Sequence, residues 1–151
     1  MKDKKVLVIG MGRSGKAAVE ALVDAGAVVS VQDSKTEDKL EKEFLAYLNE
    51  KGVTKYLGSV PEDVGAFDAL VLSPGVPPTL DFIEDANAKG AKIIGELELA
   101  YKLGHGSYVA ITGTNGKTTT TTLVGEIYKE SGRKTHVVGN IGIAVISKAI
   151  E

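Results

Sequence analysis

Ile111-Thr112-Gly113-Thr114-Asn115-Gly116-Lys117-Thr118-Thr119 sets glycines, a lysine and hydroxyls in an order suited to handling phosphate. An apolar run, Tyr108 to Ile111, leads in, and a helix-compatible segment, Leu123 to Lys129, leads out. Strand, glycine-punctuated turn and helix start together aim successive backbone N–H groups at an anion. Lys117 adds a mobile positive charge where a nucleotide's outer phosphates would lie, and the Thr118 hydroxyl is placed to join a Mg²⁺ shell. The usual phosphate-loop template is G-x-x-x-x-G-K-[ST]. Here position 111 is Ile where the template has Gly, and the first glycine arrives at Gly113. A tight turn with a surface lysine is the bland alternative, but Gly-Lys-Thr after an apolar strand seldom serves turn geometry alone.

A second glycine motif lies near the start. Val6-Leu7-Val8-Ile9 is apolar at every position, as in a parallel strand covered on both faces. Gly10-Met11-Gly12-Arg13-Ser14-Gly15 then matches G-x-G-x-x-G, and Lys16 to Ala25 reads as a helix that Gly26 stops. A strand from Val28 to Val31 ends at Gln32-Asp33, about 20 residues beyond the glycines. Taken alone, this unit points to NAD, with Asp33 on the ribose hydroxyls. Its structural alternative is glycines that merely let a helix pack close to a strand. A third candidate, Ser73-Pro74-Gly75-Val76-Pro77-Pro78, follows the apolar strand Ala69 to Leu72, at the strand end where open α/β sheets bind ligands. A ligand-lining turn and a rigid redirecting loop explain it equally well. His105 and His136 are the only histidines and have no acidic partners at metal-ligand spacing.

The elements that must position these residues alternate. Thr36 to Lys51 reads as one helix with a charged, solvated face opposite Leu40, Phe44, Leu45 and Leu48. Short strands follow at Thr54 to Leu57 and Lys92 to Ile94, with helices over Asp81 to Lys89 and Glu96 to Leu103. Gly104-His105-Gly106 forms a joint. Beyond it a second strand–helix pattern comprises Tyr108 to Ile111, the glycine loop, the helix ended by Gly132 and a strand from Thr135 to Val138. The turn Gly139-Asn140-Ile141-Gly142 and a helix starting at Ile143 come last. The expected class is α/β: a Rossmann-like doubly wound parallel sheet over residues 1–95, then the start of a P-loop α/β ATP-binding domain over 96–151.

Bulk properties fit that class. The 151 residues are 43% hydrophobic and 25% charged, with a net charge of −2, which argues against nucleic acid or an anionic membrane as partner. With no cysteine, disulfides and thiolate metal sites are excluded. No apolar stretch approaches the roughly 20 residues of a membrane span, and a cytoplasmic location is the default expectation.

With the glycine motifs placed, the chain resembles the N-terminal third of a Mur ligase, the ATP-dependent amide ligases that build the peptidoglycan stem peptide. Four features carry the likeness: Gly10 to Gly15, Ser73-Pro74-Gly75, Thr112 to Thr119 and Gly139-Asn140-Ile141-Gly142. The glycine spacing that departs from the general template is this family's own form. Asn115, where the L-alanine-adding members usually carry His, and the Rossmann-like first domain point to the MurD-type, D-glutamate-adding branch.

The resemblance replaces NAD with the UDP part of UDP-N-acetylmuramoyl-L-alanine. It implies that Gly12, Arg13 and Ser14 meet the phosphates of that substrate. Asp33 and Ser34 would face the uracil with Lys35 close by, and Ser73, Pro74, Gly75 and Asn140 would line the rest of its path. Gly113, Thr114, Asn115, Gly116, Lys117, Thr118 and Thr119 would bind ATP, with Lys117 acting catalytically on its β- and γ-phosphates and Thr118 serving Mg²⁺. The implied reaction runs through an acyl phosphate that the amine of D-glutamate opens. The D-glutamate-binding domain, further magnesium ligands and a carbamylated lysine of the family fall beyond the last residue. The expectation is therefore a piece that binds the UDP-substrate without ligase activity. The full-length protein would be a monomer, and residues 107–151 would rely on packing against residues 1–95 or against another copy.

Overall fold

The computed structural model describes residues 1–139 and 143–149. Five strands form one parallel sheet: β1 (Lys5–Ile9), β2 (Val28–Asp33), β3 (Thr54–Leu57), β4 (Ala69–Leu72) and β5 (Lys92–Gly95). Their spatial order is β3-β2-β1-β4-β5. From β1 the chain first winds outward through β2 and β3, then crosses back to lay β4 on the other side of β1. That reversal leaves a crevice at the carboxyl ends of β1 and β4, the place where open α/β sheets take ligands.

Alternation along the strands builds two cores. Val6, Val8, Val29, Val31, Val71 and Ile94 face one layer, where α1 (Arg13–Asp24), α2 (Lys42–Glu50) and α4 (Glu96–Leu103) cover them. Leu7, Ile9, Leu70 and Leu72 face the other, under α3 (Asp81–Ala88) and the 3₁₀ turn Val64–Ala66. Because both faces are sealed, every residue of β4 and the last four of β1 are buried. The pairings Ile9–Gln32 and Ile9–Leu72 align the strand ends, so Gly10, Asp33 and Ser73 emerge at one edge of the sheet.

Beyond residue 95 the chain keeps contact with this body. Leu99 and Ala100 of α4 are buried in the first core, as is Ile146 of the short helix α6 (Val145–Ala149), which is 0% exposed. The Ile146 N–H donates to Glu96 Oε1 at 3.2 Å, tying α6 to the start of α4. The remaining helix, α5 (Lys117–Glu130), leaves Leu123 and Ile127 about 60% exposed.

Three expectations need correction. The helix read over Thr36 to Lys51 is interrupted: a 3₁₀ turn spans Glu37–Lys39, and α2 starts only at Lys42. Leu40 and Glu41 are extended, with ψ of 156° and 131°, and Leu40 leans on the core. Burying that leucine overrides a helical propensity of a few tenths of a kcal/mol per residue. Tyr108 to Ile111 and Thr135 to Val138 are not strands. Neither run finds a ladder partner among the described residues, and β propensity without a partner strand does not make a sheet. The expected turn from Gly139 to Gly142 has Asn140, Ile141 and Gly142 outside the described residues.

Candidate functional site

The glycine loop after β1 is held from both sides. Met11 N–H donates to Asp33 Oδ2 at 2.6 Å, while Asp33 Oδ1 accepts from Lys35 N–H at 2.8 Å. On the opposite flank the Ser73 hydroxyl donates to Gly10 O at 2.7 Å. Strand register has already brought these groups together, so two side chains fix the loop at little further entropic cost. Gly15 completes the arrangement: a Cβ there would sit 1.8 Å from Gly10 O and 2.9 Å from Ser73 Oγ. Only glycine lets α1 start hard against the loop.

Helix α1 therefore opens with Gly12 as its N-cap, and no side chain caps it. Its first N–H groups point outward at the positive end of the helix dipole, a ready anion site. In front of it lies a cleft of about 820 Å³. Gly12, Arg13 and Ser14 form its floor, Asp33 and Ser34 one side, and Ser73, Pro74 and Gly75 the other. These are eight of the ten residues that sequence placed on the UDP-substrate path, and the fold gathers them around one cavity. Lys35 does not line the cleft: its N–H closes the turn on Asp33 and its side chain is exposed. Asn140 lies outside the described residues.

The cleft also uses residues that motif reading passed over. Gly58, Ser59 and Val60 close the β3 side, joined to β2 by the Gln32 Nε2 bond to Ser59 O at 2.9 Å. Leu80 and Phe82 extend the apolar wall that Val76 and Pro77 of the expected Ser73 to Pro78 turn begin. A signal existed for the first group, since Gly58 follows a strand as Gly10 and Ser73 do. The second carries no chemical signature, only position after the Ser-Pro-Gly turn.

The second glycine loop stands apart from the cleft, and none of its residues lines it. Gly116, at φ 73°, adopts the left-handed conformation that lets the chain turn into α5, and no side chain caps the helix. Lys117 Nζ folds back to donate to Gly113 O and, at 3.3 Å, to Thr114 O. The threonine run divides by role. Thr121 and Thr122 return their hydroxyls to Lys117 O and Thr118 O, at 2.7 and 2.9 Å, which satisfies them within the helix. The hydroxyls of Thr118 and Thr119 bond to nothing else among the described residues, so the two nearest the loop stay available to a ligand. No cluster of three or more His, Cys, Asp or Glu side chains suited to a metal occurs among the described residues. Nor is any helix there long and apolar enough to cross a membrane.

Comparison with known proteins gives a consistent result. The family model described as "Mur ligase MurD-like, N-terminal domain" matches residues 4–95. The UDP-N-acetylmuramoylalanine–D-glutamate ligase of Alkaliphilus oremlandii is 54% identical over 154 residues, taking in 100% of this chain and 34% of that protein. The enzyme of the same name in Clostridioides difficile is 49% identical over 148 residues, covering 97% and 33%. The chain thus spans about a third of the length of the curated relatives it matches. Among solved structures, a pseudomurein peptide ligase type C from Methanothermus fervidus aligns with a TM-score of 0.55 at 28% identity, over 86% of this chain and 27% of its own. The UDP-N-acetylmuramate–alanine ligase MurC from Thermotoga maritima aligns with a TM-score of 0.51 at 26% identity, over 85% and 30%.

Proposed function

This chain belongs to the Mur ligases, its residues 4–95 being a MurD-like N-terminal domain, and on that premise we propose that the protein joins D-glutamate to UDP-N-acetylmuramoyl-L-alanine at the expense of ATP. One observation carries the reading: three separate segments expected on the UDP path, Gly12 to Ser14, Asp33-Ser34 and Ser73 to Gly75, line a single cleft at the sheet's switch point. Residues 1–95 are the UDP-substrate domain in this proposal, and 96–151 begin the ATP-binding domain. The setting is cytoplasmic peptidoglycan precursor synthesis.

The chemistry assigned to this chain is binding and charge neutralisation. The diphosphate lies at the uncapped start of α1, and the nucleoside extends toward β2 and β3. ATP phosphates take the first N–H groups of α5, and Lys117 transfers its hydrogen bonds from the Gly113 and Thr114 carbonyls to phosphate oxygens. The substrate's L-alanine carboxylate attacks the γ-phosphorus, ADP leaves, and the D-glutamate amine displaces phosphate from the acyl phosphate. Lys117 stabilises the charge that builds on the transferred group. The free Thr118 hydroxyl suits one position in a Mg²⁺ shell, and the ion would offset phosphate charge.

Asp33 also bears on the dinucleotide alternative. Each of its oxygens accepts one backbone N–H, which fixes the carboxylate at the cleft but leaves it lone pairs for a ligand, so titration has to decide between the two readings. Calorimetric titration with UDP, UDP-N-acetylmuramoyl-L-alanine, NAD and ATP tests the proposal. Saturable binding of the two UDP ligands with none of NAD is the expected result, and the reverse order rejects it.

A further inference from the structure

Gln32, near the end of β2, is 7% exposed and lines the cleft beside Asp33. A carboxamide so buried is unfavourable unless its polar atoms are satisfied. Its nitrogen is satisfied: Nε2 donates to Ser59 O at 2.9 Å. A carbonyl only accepts, so this bond settles which end of the amide is nitrogen. The oxygen is the opposite case. It accepts from no group among the described residues, yet no side-chain nitrogen or oxygen there is both sealed from solvent and unpartnered. Oε1 therefore opens on the cleft, held in place by the bond at the other end of the amide.

We propose that Gln32 is a specificity-determining residue whose fixed Oε1 accepts a hydrogen bond from the nucleoside part of the bound uridine nucleotide. This rests on the UDP reading above. An acceptor beside the Asp33 carboxylate repels phosphate oxygens, which bring no donor at neutral pH. The diphosphate has its own place at the start of α1, one strand away. What a uridine nucleotide can offer Gln32 is the uracil N3–H or a ribose hydroxyl. Ser59 becomes part of the device, because its carbonyl sets the amide's orientation and so gives the loop after β3 a role in choosing the base.

The test is calorimetry on the whole chain, wild type and Gln32→Met, with four ligands: UDP, CDP, 2′-deoxy-UDP and 3′-deoxy-UDP. CDP replaces the N3–H donor by a lone pair, and each deoxy compound deletes one hydroxyl. The wild type should prefer UDP over one of the three by on the order of fivefold, the size of one net hydrogen bond. That preference should vanish in Gln32→Met, and the analogue concerned names the donor. Equal weakening of all four ligands, or none, overturns the proposal, because a merely structural glutamine does not distinguish them. If Gln32→Met fails to melt cooperatively, the wild type decides alone: equal affinity for all four refutes the contact. A wild type that does not bind UDP at all refutes the UDP reading itself, which separates the two failures.

Discussion

Substituting alanine for Gly15 tests the geometry on which the cleft depends. The added methyl would lie 1.8 Å from Gly10 O and 3.0 Å from the same carbonyl's carbon. Both are main-chain atoms, and that carbonyl is pinned by the Ser73 hydroxyl, so no flexible side chain can give way. Opening 1.8 Å to an ordinary contact near 3.4 Å requires α1 and the loop to separate by about 1.6 Å. The helix packs on the core through Ala18, Val19 and Leu22, so the shift disturbs that contact as well. Overpacking of this kind costs about 1–3 kcal/mol. For a cooperative unit of about 100 residues that lowers Tm by roughly 10 °C. The N–H groups at the start of α1 move with the helix, and losing one charge-assisted bond of about 1.5 kcal/mol weakens UDP about tenfold. Gly12→Ala is the control. Its Cβ meets nothing within 4 Å and its φ of −75° suits any residue. It should melt like wild type and affect only ligand affinity. Thermal unfolding by circular dichroism and titration with UDP read both quantities. A Gly15→Ala chain that melts within 2 °C of wild type, on the same scale, refutes the close approach of α1 to the loop.

Three further outcomes follow from single contacts. Ile146→Ala removes a fully buried side chain from between α6 and the first core, so it should destabilise by about 2–4 kcal/mol and raise hydrogen exchange across α4 and α6, measured by mass spectrometry; unchanged exchange would place α6 elsewhere. Lys117→Met, made in the full-length protein, should lower kcat by about 10² or more with the melting temperature preserved, since among the described residues its ammonium bonds only exposed loop carbonyls; steady-state phosphate release reads it, and a rate within threefold of wild type would dismiss Lys117 as the charge acting on phosphate. The Asp68 carboxyl is held below its ordinary value by the Lys4 ammonium and then the Lys5 N–H. Its folded value is the lower one, so its contribution is present above the usual carboxylate range and is lost as pH falls through the folded value. Asp68→Asn should therefore flatten the acid limb of a stability–pH profile below about pH 4 and leave the limb unchanged above pH 6.

How much could be read beforehand follows the range of the forces involved. The central strands β1 and β4 were legible because two-sided burial writes itself as unbroken apolar runs, Val6 to Ile9 and Ala69 to Leu72. Residues following those strands were legible as site candidates because parallel strands end at one edge, and eight of them do share the cleft. The break at Leu40-Glu41 was not, since one leucine's contact with a distant core outweighed local propensity. Tyr108 to Ile111 and Thr135 to Val138 failed for a related reason: their composition suits a strand, but pairing is supplied by a partner, and none of the described residues supplies it. Gln32 was invisible for the opposite reason. Nothing local distinguishes a structural glutamine from a reading one. The Ser59 carbonyl, 27 residues away, makes the difference.

The two glycine loops show what separates a preformed site from a latent one. In the first, Met11 N–H and Gly10 O are bonded to Asp33 and Ser73, residues anchored at the ends of neighbouring strands, and the start of α1 lines the cleft. Ligand binding there breaks none of the bonds that shape the loop. In the second, the bonds belong to Lys117, the residue with the most to offer a phosphate, and they hold the Gly113 and Thr114 carbonyls from inside the loop. On the proposed ATP reading, a nucleotide has to take the ammonium away from those carbonyls before using it. Little else braces the loop, because α5 leaves Leu123 and Ile127 in solvent and most helix stability comes from tertiary packing. The exchange replaces carbonyl dipoles with full anionic charge, so it is favourable only when a phosphate sits between Lys117 and the first turn of α5. On the proposed ATP reading, the lysine braces the loop from inside until a phosphate arrives and then supplies its charge.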